Sequence, residues 1–336
     1  MKKFLTALLL GVSAVLLVAC GTSKTTKTVR IAYSPALCEA YLHIAIEKGF
    51  LEAEGLQVEK VQVDGAHVQE VIGAGKVDAG GGLISKFLLP VENGLPIKFV
   101  AGMHSGCVKV LVANGSSLNK VSDLKGKKIG VPGLADASTL MLKRSLASAG
   151  ISVDEKNPDV EFVVYNRNDL AQALANGSVD AIGLLDPIAS IVAEKSHLKA
   201  IFDNGVTKPY DAEICCAVFV TSKYAQENPE GAAAVTRAIM KAAAWIHEHP
   251  EEAAKIQLDK KYVAGDVSLN AKLLKGFNYR PTVQGGYQAV KANIEELAAI
   301  GILKKTPDTK KFADNVFLFQ KGVSETYTAT DVAGVK

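Results

Sequence analysis

The sequence predicts an α/β protein with two lobes. Short apolar runs alternate with helical stretches from Val29 onward, which is typical of a mostly parallel sheet with helices on both faces. Hydrophobic residues make up 48% of the chain and aromatic residues 6%, and the 29 glycines suit tight strand-to-helix turns. Because the alternation pauses after residue 115 and restarts at residue 128, we expect two lobes rather than one continuous sheet.

The first half of the chain contains four predicted strands and three predicted amphipathic helices. Each strand is short and apolar, and each helix carries apolar residues at helical spacing. The strands are expected at 29–34, 56–64, 77–83 and 97–103, and the helices at 39–55, 67–76 and 84–93. A further extended run at 107–115 leads out of this half into a turn-rich segment.

The second half repeats this pattern. Its strands are expected at 128–133, 160–166, 179–185 and 198–204, and its helices at 135–150, 168–178 and 186–196. An extended run at 214–223 follows, and the rest of the chain is predicted to be helical. The long helix at 228–249 has Asn228 as its cap and Pro229 in its first turn.

An internal repeat supports the division into two halves. The sequence GKVDA at 75–79 recurs as GSVDA at 177–181. Each time an amphipathic helix precedes it, and a strand end that contains glycine and leads into a helix follows it. The spacing is far too long for a solenoid, so it indicates two related or convergent halves. Two extended runs connect them, at 107–115 and 214–223, which indicates a hinged architecture.

The N-terminal segment predicts a secretion signal. Two lysines precede an apolar run that ends at Val18 and is followed at once by polar chain, so the run is too short for a stable transmembrane helix. The sequence LVAC at 17–20 resembles the lipobox of bacterial lipoproteins. That resemblance implies a signal peptide at 1–19, acylation of Cys20 as the membrane anchor, and a polar tether at 20–28. The alternative is an ordinary signal with an incidental cysteine.

The charge of the chain narrows its possible partners. The formal net charge is +3, and it falls by two when the two leader lysines are removed. So small a charge argues against nucleic acid as a partner and against a basic membrane-binding face. The signal and the lipobox resemblance, not the charge, predict an extracytoplasmic protein that is held by its lipid on the periplasmic side or the outer face of the cell membrane.

Four segments of the mature chain share a pattern with one known family. They are IEKGFLEAEGLQVE at 46–59, VSDLKGKKIGVPG at 121–133, GSVDAIGLLDP at 177–187 and FVTSKYAQENPEGAAAVTRAIMKAAAWI at 219–246. Together they resemble the nitrate/taurine/sulfonate-type, NMT1-like solute-binding lipoproteins of ABC importers. The resemblance extends from Val29 to Gly301, which is nearly the whole mature chain.

The resemblance implies a periplasmic-binding-protein-like type II fold, in which two α/β lobes are joined by two hinge strands. We expect residues 29–106 and 216–320 in the first lobe and 107–215 in the second. It also implies capture of a small molecule between the lobes and its delivery to an ABC permease with its ATPase subunit. The chain is expected to be a monomer without a cofactor. The ligand is expected to be anionic or zwitterionic, with a sulfonate and a pyrimidine precursor of thiamin as alternatives.

The expected binding site lies at the carboxyl ends of the strands, where ligands bind in open α/β sheets. Several of these strand ends also open helices, whose unpaired N–H groups attract anions. The candidate ligand-binding residues are Ser34, Pro35, Cys38, Glu39, Gly81, Gly82, His104 and Ser105 in the first lobe, and Asp136, Ser138, Asn166 and Asp186 in the second.

Structural roles compete with ligand binding at several of these positions. The glycines at 80–82 either let a ligand approach the backbone or make tight turns. Asp136 and Ser138 can both cap the helix that begins beside them, and Asp186, with proline after it, also fits a cap. If Glu39 and Asp186 face the cleft instead, the ligand carries an amine, an amidine or a ring N–H.

The cysteines are unusual in their placement. Those that follow Cys20 are Cys38, Cys107, Cys215 and Cys216. Cys107 begins one crossing and the adjacent pair begins the other, so we expect Cys107 close to one member of the pair. Three roles stay open: small buried apolar residues, a hinge disulfide from Cys107 to Cys215 or Cys216, and a soft-metal or thiol ligand. Because no Cys-x-x-Cys or His-x-x-x-His spacing is present, the sequence does not predict a metal site.

An enzyme is the competing interpretation. The segment EICCAVFVTSKYAQENPE at 213–230 also resembles the pyrimidine-precursor synthases of thiamin biosynthesis, which share this fold and carry a cysteine cluster there. Those enzymes are cytosolic, whereas this chain has a lipobox and only two adjacent cysteines. No Ser/His/Asp order or phosphate-binding loop stands out. The sequence therefore predicts a binding protein rather than an enzyme.

Overall fold

The computed structural model describes residues 28–64 and 67–332. The predicted signal peptide at 1–19 and the predicted acylation site Cys20 lie outside these residues, as does the tether up to residue 27. Within the described ranges, no helix combines the length and the apolar character needed to cross a bilayer.

Six strands form the first sheet. They are β1 (Thr28–Tyr33), β2 (Gln57–Gln62), β3 (Ala79–Leu83), β4 (Ile97–His104), β10 (Cys216–Thr221) and β11 (Tyr279–Thr282). Their spatial order is β11-β4-β10-β3-β1-β2. β1 pairs in parallel with β2 and β3, whereas β10 runs antiparallel between β3 and β4. The strand that returns late in the sequence therefore occupies the middle of this sheet.

Five strands form the second sheet. They are β5 (Val108–Ala113), β6 (Lys128–Val131), β7 (Glu161–Val164), β8 (Ala181–Leu185) and β9 (Leu198–Asp203), in the order β7-β6-β8-β5-β9. β6 pairs in parallel with β7 and β8, and β5 pairs antiparallel with β8 and β9. Each sheet thus has one antiparallel strand inserted between parallel strands, β10 in the first sheet and β5 in the second, and both lie next to a crossing between the sheets. The edge strand β11 also runs antiparallel to its neighbour β4.

Helices cover both sheets. With the first sheet lie α1 (Ala40–Glu47), α2 (Phe50–Ala53), α3 (Val68–Gly73) and α4 (Ile84–Glu92), and with the second α5 (Ala137–Ser148), α6 (Leu170–Ala175) and α7 (Ile188–Lys195). The C-terminal helices are α8 (Ser222–Glu227), α9 (Pro229–Glu248), α10 (Pro250–Asp259), α11 (Val267–Gly276), α12 (Val283–Ala299) and α13 (Thr309–Val316). The long helix α9 is mostly buried and packs against α1, α2 and β11.

Two details differ from the sequence prediction. The helix expected at 39–55 is divided at Gly49, whose φ of 75° belongs to the left-handed region, so α1 and α2 are separate. The C-terminal part contains a short strand, β11, where only helix was expected. β11 holds Pro281 and lies at the edge of the sheet, where a missing backbone N–H is tolerated.

The two sheets define two lobes, and the chain crosses between them twice. The first crossing is 105–107, between β4 and β5, and the second is 204–215, between β9 and β10. The two crossings touch at Gly106 and Gly205. A Cβ on Gly106 would lie 2.9 Å from the Cα of Gly205, and the φ of Gly106 is +77°, so only glycine fits there without strain.

A buried arginine joins α5 of the second lobe to α12 of the first. Arg144 is 2% exposed and donates through Nη2 to Glu213 at 2.8 Å and through Nε to Glu296 at 2.7 Å. Its Nη1 also donates to the Asn293 amide oxygen at 2.9 Å. Burial lowers the pKa of Arg144, but the two carboxylates outweigh it and leave the pKa above its usual value. The guanidinium is therefore charged, and each of its three nitrogens donates a hydrogen bond.

Candidate functional site

The carboxyl ends of both sheets face a common cleft. It encloses about 960 Å³, and its lining comes from the ends of β1, β2 and β3 in the first lobe and of β6, β7 and β8 in the second. Parallel strands end at the same edge of a sheet, so the two lobes turn equivalent edges toward each other across this space. A small molecule in this cleft can contact both lobes at once.

Most of the predicted binding residues meet at this cleft. Those that line it are Ser34, Pro35, Cys38, Glu39, Gly81, Gly82, Asp136 and Asn166. The other four candidates, His104, Ser105, Ser138 and Asp186, are buried elsewhere, and each requires a correction.

His104 and Ser105 lie behind the cleft. β10 is inserted between β3 and β4, so the end of β4 is displaced from the cleft edge that β1 and β3 share. His104 is 0% exposed, and its Nε2 lies 2.9 Å from the carbonyl oxygen of Cys38. Its ring stacks on Phe277 at a centroid distance of 5.4 Å. His104 therefore supports the turn at 37–39 from below and does not line the cleft.

Ser138 lies under the cleft and Asp136 lies in it. Asp136 caps α5, because its Oδ1 accepts the N–H of Ser138 at 2.9 Å and the Ser138 hydroxyl at 2.6 Å. Ser138 points into the lobe and is 0% exposed. The other carboxylate oxygen of Asp136 accepts a hydrogen bond from Arg167 at 3.1 Å.

Asp186 belongs to a separate cavity of about 560 Å³, together with Lys109 and Asp203. Its Oδ1 accepts the N–H of Ser190 at 3.0 Å and the Ser190 hydroxyl at 2.7 Å, so it satisfies a donor in the first turn of α7, although the N-cap residue of that helix is Pro187 and not Asp186. Lys109 pairs with Asp186 and also lies 3.4 Å from Asp203. Burial lowers the pKa of Lys109, but the two carboxylates outweigh it and raise the pKa above its ordinary value.

Glu39 places a carboxyl group with a raised pKa in the cleft. It opens α1, where its Oε2 accepts the backbone N–H of Ser34 at 2.7 Å and its Oε1 accepts the Ser34 hydroxyl at 2.5 Å. Burial, with a further contribution from Cys38, raises the pKa of Glu39 to about 8 even though Ser34 opposes the shift. At neutral pH this carboxyl is mostly protonated, so it can donate as well as accept a hydrogen bond.

Two cationic residues that line the cleft are not among the candidate binding residues. Lys86 lies in the first turn of α4, directly after the glycine strand β3, and Arg167 directly follows the predicted Asn166 in the second lobe. Burial lowers the pKa of Lys86, against the opposing effects of Glu39 and Asp136. The position of Lys86 one turn into a helix that follows a candidate strand end is the signal that could have identified it.

The glycines of β3 serve a purpose that the sequence did not suggest. A Cβ on Gly81 would lie 2.5 Å from the Tyr41 hydroxyl oxygen, and one on Gly80 would lie 2.8 Å from the Phe219 ring. Both glycines therefore leave room for aromatic side chains that pack under the floor of the cleft. Gly82 has φ +148°, a backbone conformation that side chains disfavour, and it faces Glu39.

The cysteines after Cys20 gather at the back of the cleft, where Cys38 is part of the lining. The sulfur atoms of Cys107 and Cys215 are 3.7 Å apart, so the proximity predicted for the two crossings is present. The sulfur of Cys216 lies 3.8 Å from that of Cys215, and Cys38 approaches from the turn at 37–39. All four are buried free cysteines, and the His104 Nδ1 lies 3.8 Å from the Cys215 sulfur.

Comparison with known proteins places the chain in a family. A family model described as NMT1/THI5 like matches residues 39–253, which include β3 and the whole second sheet. The chain belongs to the NMT1/THI5-like family. This agrees with the resemblance found in the four sequence segments.

Named relatives of the chain include binding proteins and one enzyme. A putative aliphatic sulfonates-binding protein of Bacillus subtilis (strain 168) is 28% identical over 312 residues, which cover 89% of this chain and 90% of the relative. A formylaminopyrimidine-binding protein of Halalkalibacterium halodurans is 25% identical over 241 residues, or 69% and 70% of the two chains. A 4-amino-5-hydroxymethyl-2-methylpyrimidine phosphate synthase of Aspergillus parasiticus is 26% identical over 249 residues, 70% of each chain.

Solved structures share the fold. The periplasmic aliphatic sulphonate binding protein SsuA from Escherichia coli superposes with a TM-score of 0.72 at 17% identity, covering 90% of this chain and 95% of that one. The predicted periplasmic-binding-protein-like fold, with two α/β lobes, is therefore confirmed. The prediction of a binding protein rather than an enzyme is confirmed as well by the relatives named as binding proteins, although the fungal relative is named as a synthase.

Proposed function

We propose that this NMT1/THI5-like protein is the extracytoplasmic, lipid-anchored solute-binding protein of an ABC importer. The observation that carries the proposal is the cleft of about 960 Å³ that both lobes line at the carboxyl ends of their strands. A molecule bound there touches both lobes, so it favours the arrangement in which they are closed. The closed monomer then delivers the molecule to a permease and its ATPase subunit.

The charges of the cleft indicate the class of ligand. Lys86 and Arg167 supply positive charge, Asp64 and Asp136 supply negative charge, and Glu39 is mostly protonated at neutral pH. A simple anion would face two carboxylates. A molecule with both an anionic group and an N–H group can instead pair its anionic group with the cations and its N–H group with the carboxylates. We therefore favour an amine-bearing sulfonate, or an aminopyrimidine whose N–H groups can donate to the carboxylates and whose ring nitrogens can accept from the cations, in line with what two of the relatives are named for binding.

Closure is proposed to occur about the two crossings. Residues 29–106 and 216–320 would move as one lobe and 107–215 as the other. The contact between Gly106 and Gly205 brings the crossings together through their backbones, which lets small changes in φ and ψ turn the lobes without moving a side chain.

A matched pair of probes tests the ligand class. Taurine and ethanesulfonate share a sulfonate and differ in the amine, and 4-amino-2-methylpyrimidine represents the heterocycle. Calorimetry should show binding of taurine or of the aminopyrimidine, and ethanesulfonate should bind at least about tenfold more weakly, the effect of one charge-assisted hydrogen bond. Equal binding of ethanesulfonate and taurine would contradict the zwitterion argument.

A variant pair tests the location. Lys86→Met should weaken binding of the active probe, because it removes a cation that lines the cleft. Lys143→Met is the matched control, since Lys143 is half-buried over the Phe162 ring and does not line the cleft. If both variants bind as the parent does, the site lies elsewhere.

A further inference from the structure

We propose that Cys38, Cys107, Cys215 and Cys216 form a site for one tetrahedral, thiophilic metal ion such as Zn²⁺. The four thiols come from three segments that are far apart in sequence: the turn at 37–39, the first crossing and the start of β10. All four side chains are buried, and all four are free cysteines. The fold alone assembles this set, which is why the spacing of the cysteines in the sequence does not reveal it.

The distances between the sulfur atoms suit tetrahedral coordination. A Zn–S bond is about 2.3 Å, so neighbouring sulfurs of a tetrahedral ZnS₄ site lie about 3.8 Å apart. The Cys107–Cys215 and Cys215–Cys216 sulfur distances are 3.7 Å and 3.8 Å. The sulfurs of Cys38, Cys107 and Cys216 lie within 4.8 Å of one another. Cys38 is therefore within reach of two of the other three sulfurs, and its approach to Cys215 would complete the tetrahedron.

The chemistry of the set also favours a metal. Thiolates are soft ligands that select Zn²⁺, Cu⁺ and related ions over Mg²⁺ or Ca²⁺. Four thiols at these separations outside the cytoplasm are otherwise open to disulfide formation, and coordination to one ion keeps all four reduced. An ordinary apolar core position needs none of these properties, since alanine or valine fills such space without redox chemistry.

His104 is a positioning residue for this site. Its Nε2 lies 2.9 Å from the carbonyl oxygen of Cys38, and its Nδ1 lies 3.2 Å from the carbonyl oxygen of Ser105 and 3.8 Å from the sulfur of Cys215. The ring thus connects the backbone of one proposed ligand to the sulfur of another. Partners of this kind orient the ligands of a metal without binding it themselves.

Cys38 connects the site to the cleft. It lines the cleft and is followed directly by Glu39, whereas Cys107 and Cys215 lie in the crossings. An ion can therefore enter from the cleft past Cys38. Once bound, it would tie the first-lobe wall of the cleft to both crossings, so its role would be to fix the hinge and the 37–39 turn relative to each other.

The first test uses the full chain, purified under anaerobic and reducing conditions, with Zn²⁺ and Co²⁺ as probes. Elemental analysis after removal of unbound metal should find one Zn²⁺ per chain. Exchange for Co²⁺ should give thiolate-to-cobalt charge-transfer absorption and the intense visible bands of tetrahedral cobalt. A chain that retains no Zn²⁺ and gives only the weak spectrum of hydrated Co²⁺ would overturn the proposal.

Variants assign the ligands. Cys107→Ser and Cys216→Ser should lose the bound Zn²⁺, whereas Ser105→Ala, which alters the same buried region and leaves every thiol in place, should keep it. His104→Gln should weaken Zn²⁺ binding by about 10–100-fold without changing the stoichiometry. Circular dichroism checks that each variant folds. If a serine variant does not fold, the cobalt spectrum of the parent chain decides. Folded serine variants that keep a full complement of Zn²⁺ would refute the site.

Discussion

His43 should make the protein sensitive to acid in a way that can be calculated. The side chain is 0% exposed, its Nε2 lies 3.1 Å from the carbonyl oxygen of Ser34, and its Nδ1 lies 2.7 Å from the Gln257 amide nitrogen. The ring stacks on Tyr262 at 4.1 Å. A neutral imidazole satisfies both contacts, since Nε2–H donates to Ser34 and Nδ1 accepts from Gln257. Protonation would place two donors against each other at Nδ1.

The magnitude follows from the pKa. Burial lowers the pKa of His43 from 6.5 to about 3 in the folded chain. Between pH 6.5 and pH 3 the unfolded state therefore binds a proton that the folded state does not bind. The contribution of His43 to the free energy of unfolding is complete above pH 6.5 and is lost as the pH falls. One pKa unit corresponds to about 1.4 kcal/mol, which gives a loss of about 2 kcal/mol between pH 7 and pH 5.

Denaturant unfolding of the parent and of His43→Gln at pH 7 and pH 5 measures this loss. Trp245, the only tryptophan, reports on unfolding from helix α9. The difference in the free energy of unfolding between parent and variant should shrink by about 2 kcal/mol from pH 7 to pH 5, because the variant has no titrating group at this position. The control variant His247→Gln, at an exposed position of helix α9, should show no such change. A difference that stays constant with pH would refute the argument.

Two of three further predictions concern contacts between the two lobes or the two crossings, and the third concerns the leader. Arg144→Met should lower the free energy of unfolding by about 3 kcal/mol, because two carboxylates lose their buried cation, and a loss near zero in denaturant unfolding would contradict this. Gly106→Ala should cost about 1–3 kcal/mol by strain and by collision with Gly205. Gly115→Ala, which meets nothing within 4 Å, should be nearly neutral in the same assay; equal costs would argue against strain. Cys20→Ala should abolish fatty-acid incorporation and leave uncleaved precursor, and normal maturation would remove the lipobox argument.

The sequence was a good guide wherever one local rule decides the structure. The strands and helices of both halves lie close to their predicted ranges, because apolar periodicity and caps such as Asn228 and Asp136 are local signals. The strand ends with their loops were predicted for the same reason, and they form the cleft. Strand β11 was not predicted because it is short and contains Pro281. Its formation also depends on pairing with β4, which is far away in sequence.

The site was less predictable, because strand order determines which loop ends face each other. His104 was expected in the cleft because β4 ends there in sequence, but β10 separates β4 from β3 and moves its end away. The same insertion brings Cys216 beside His104 in the sheet and so gathers the cysteines. Lys86 escaped for a simpler reason: a lysine in a helical first turn is most often an exposed residue.

Native mass spectrometry of the protein, purified without refolding, tests the central claim most directly. The folded chain should carry one co-purified small molecule, or take up one molecule of taurine or 4-amino-2-methylpyrimidine. Unfolding should release that molecule, and Lys86→Met should hold it more weakly than Lys143→Met does. A folded chain that shows only its own mass, and stays at that mass with every probe, would contradict the account of a cleft that binds a small solute between two lobes.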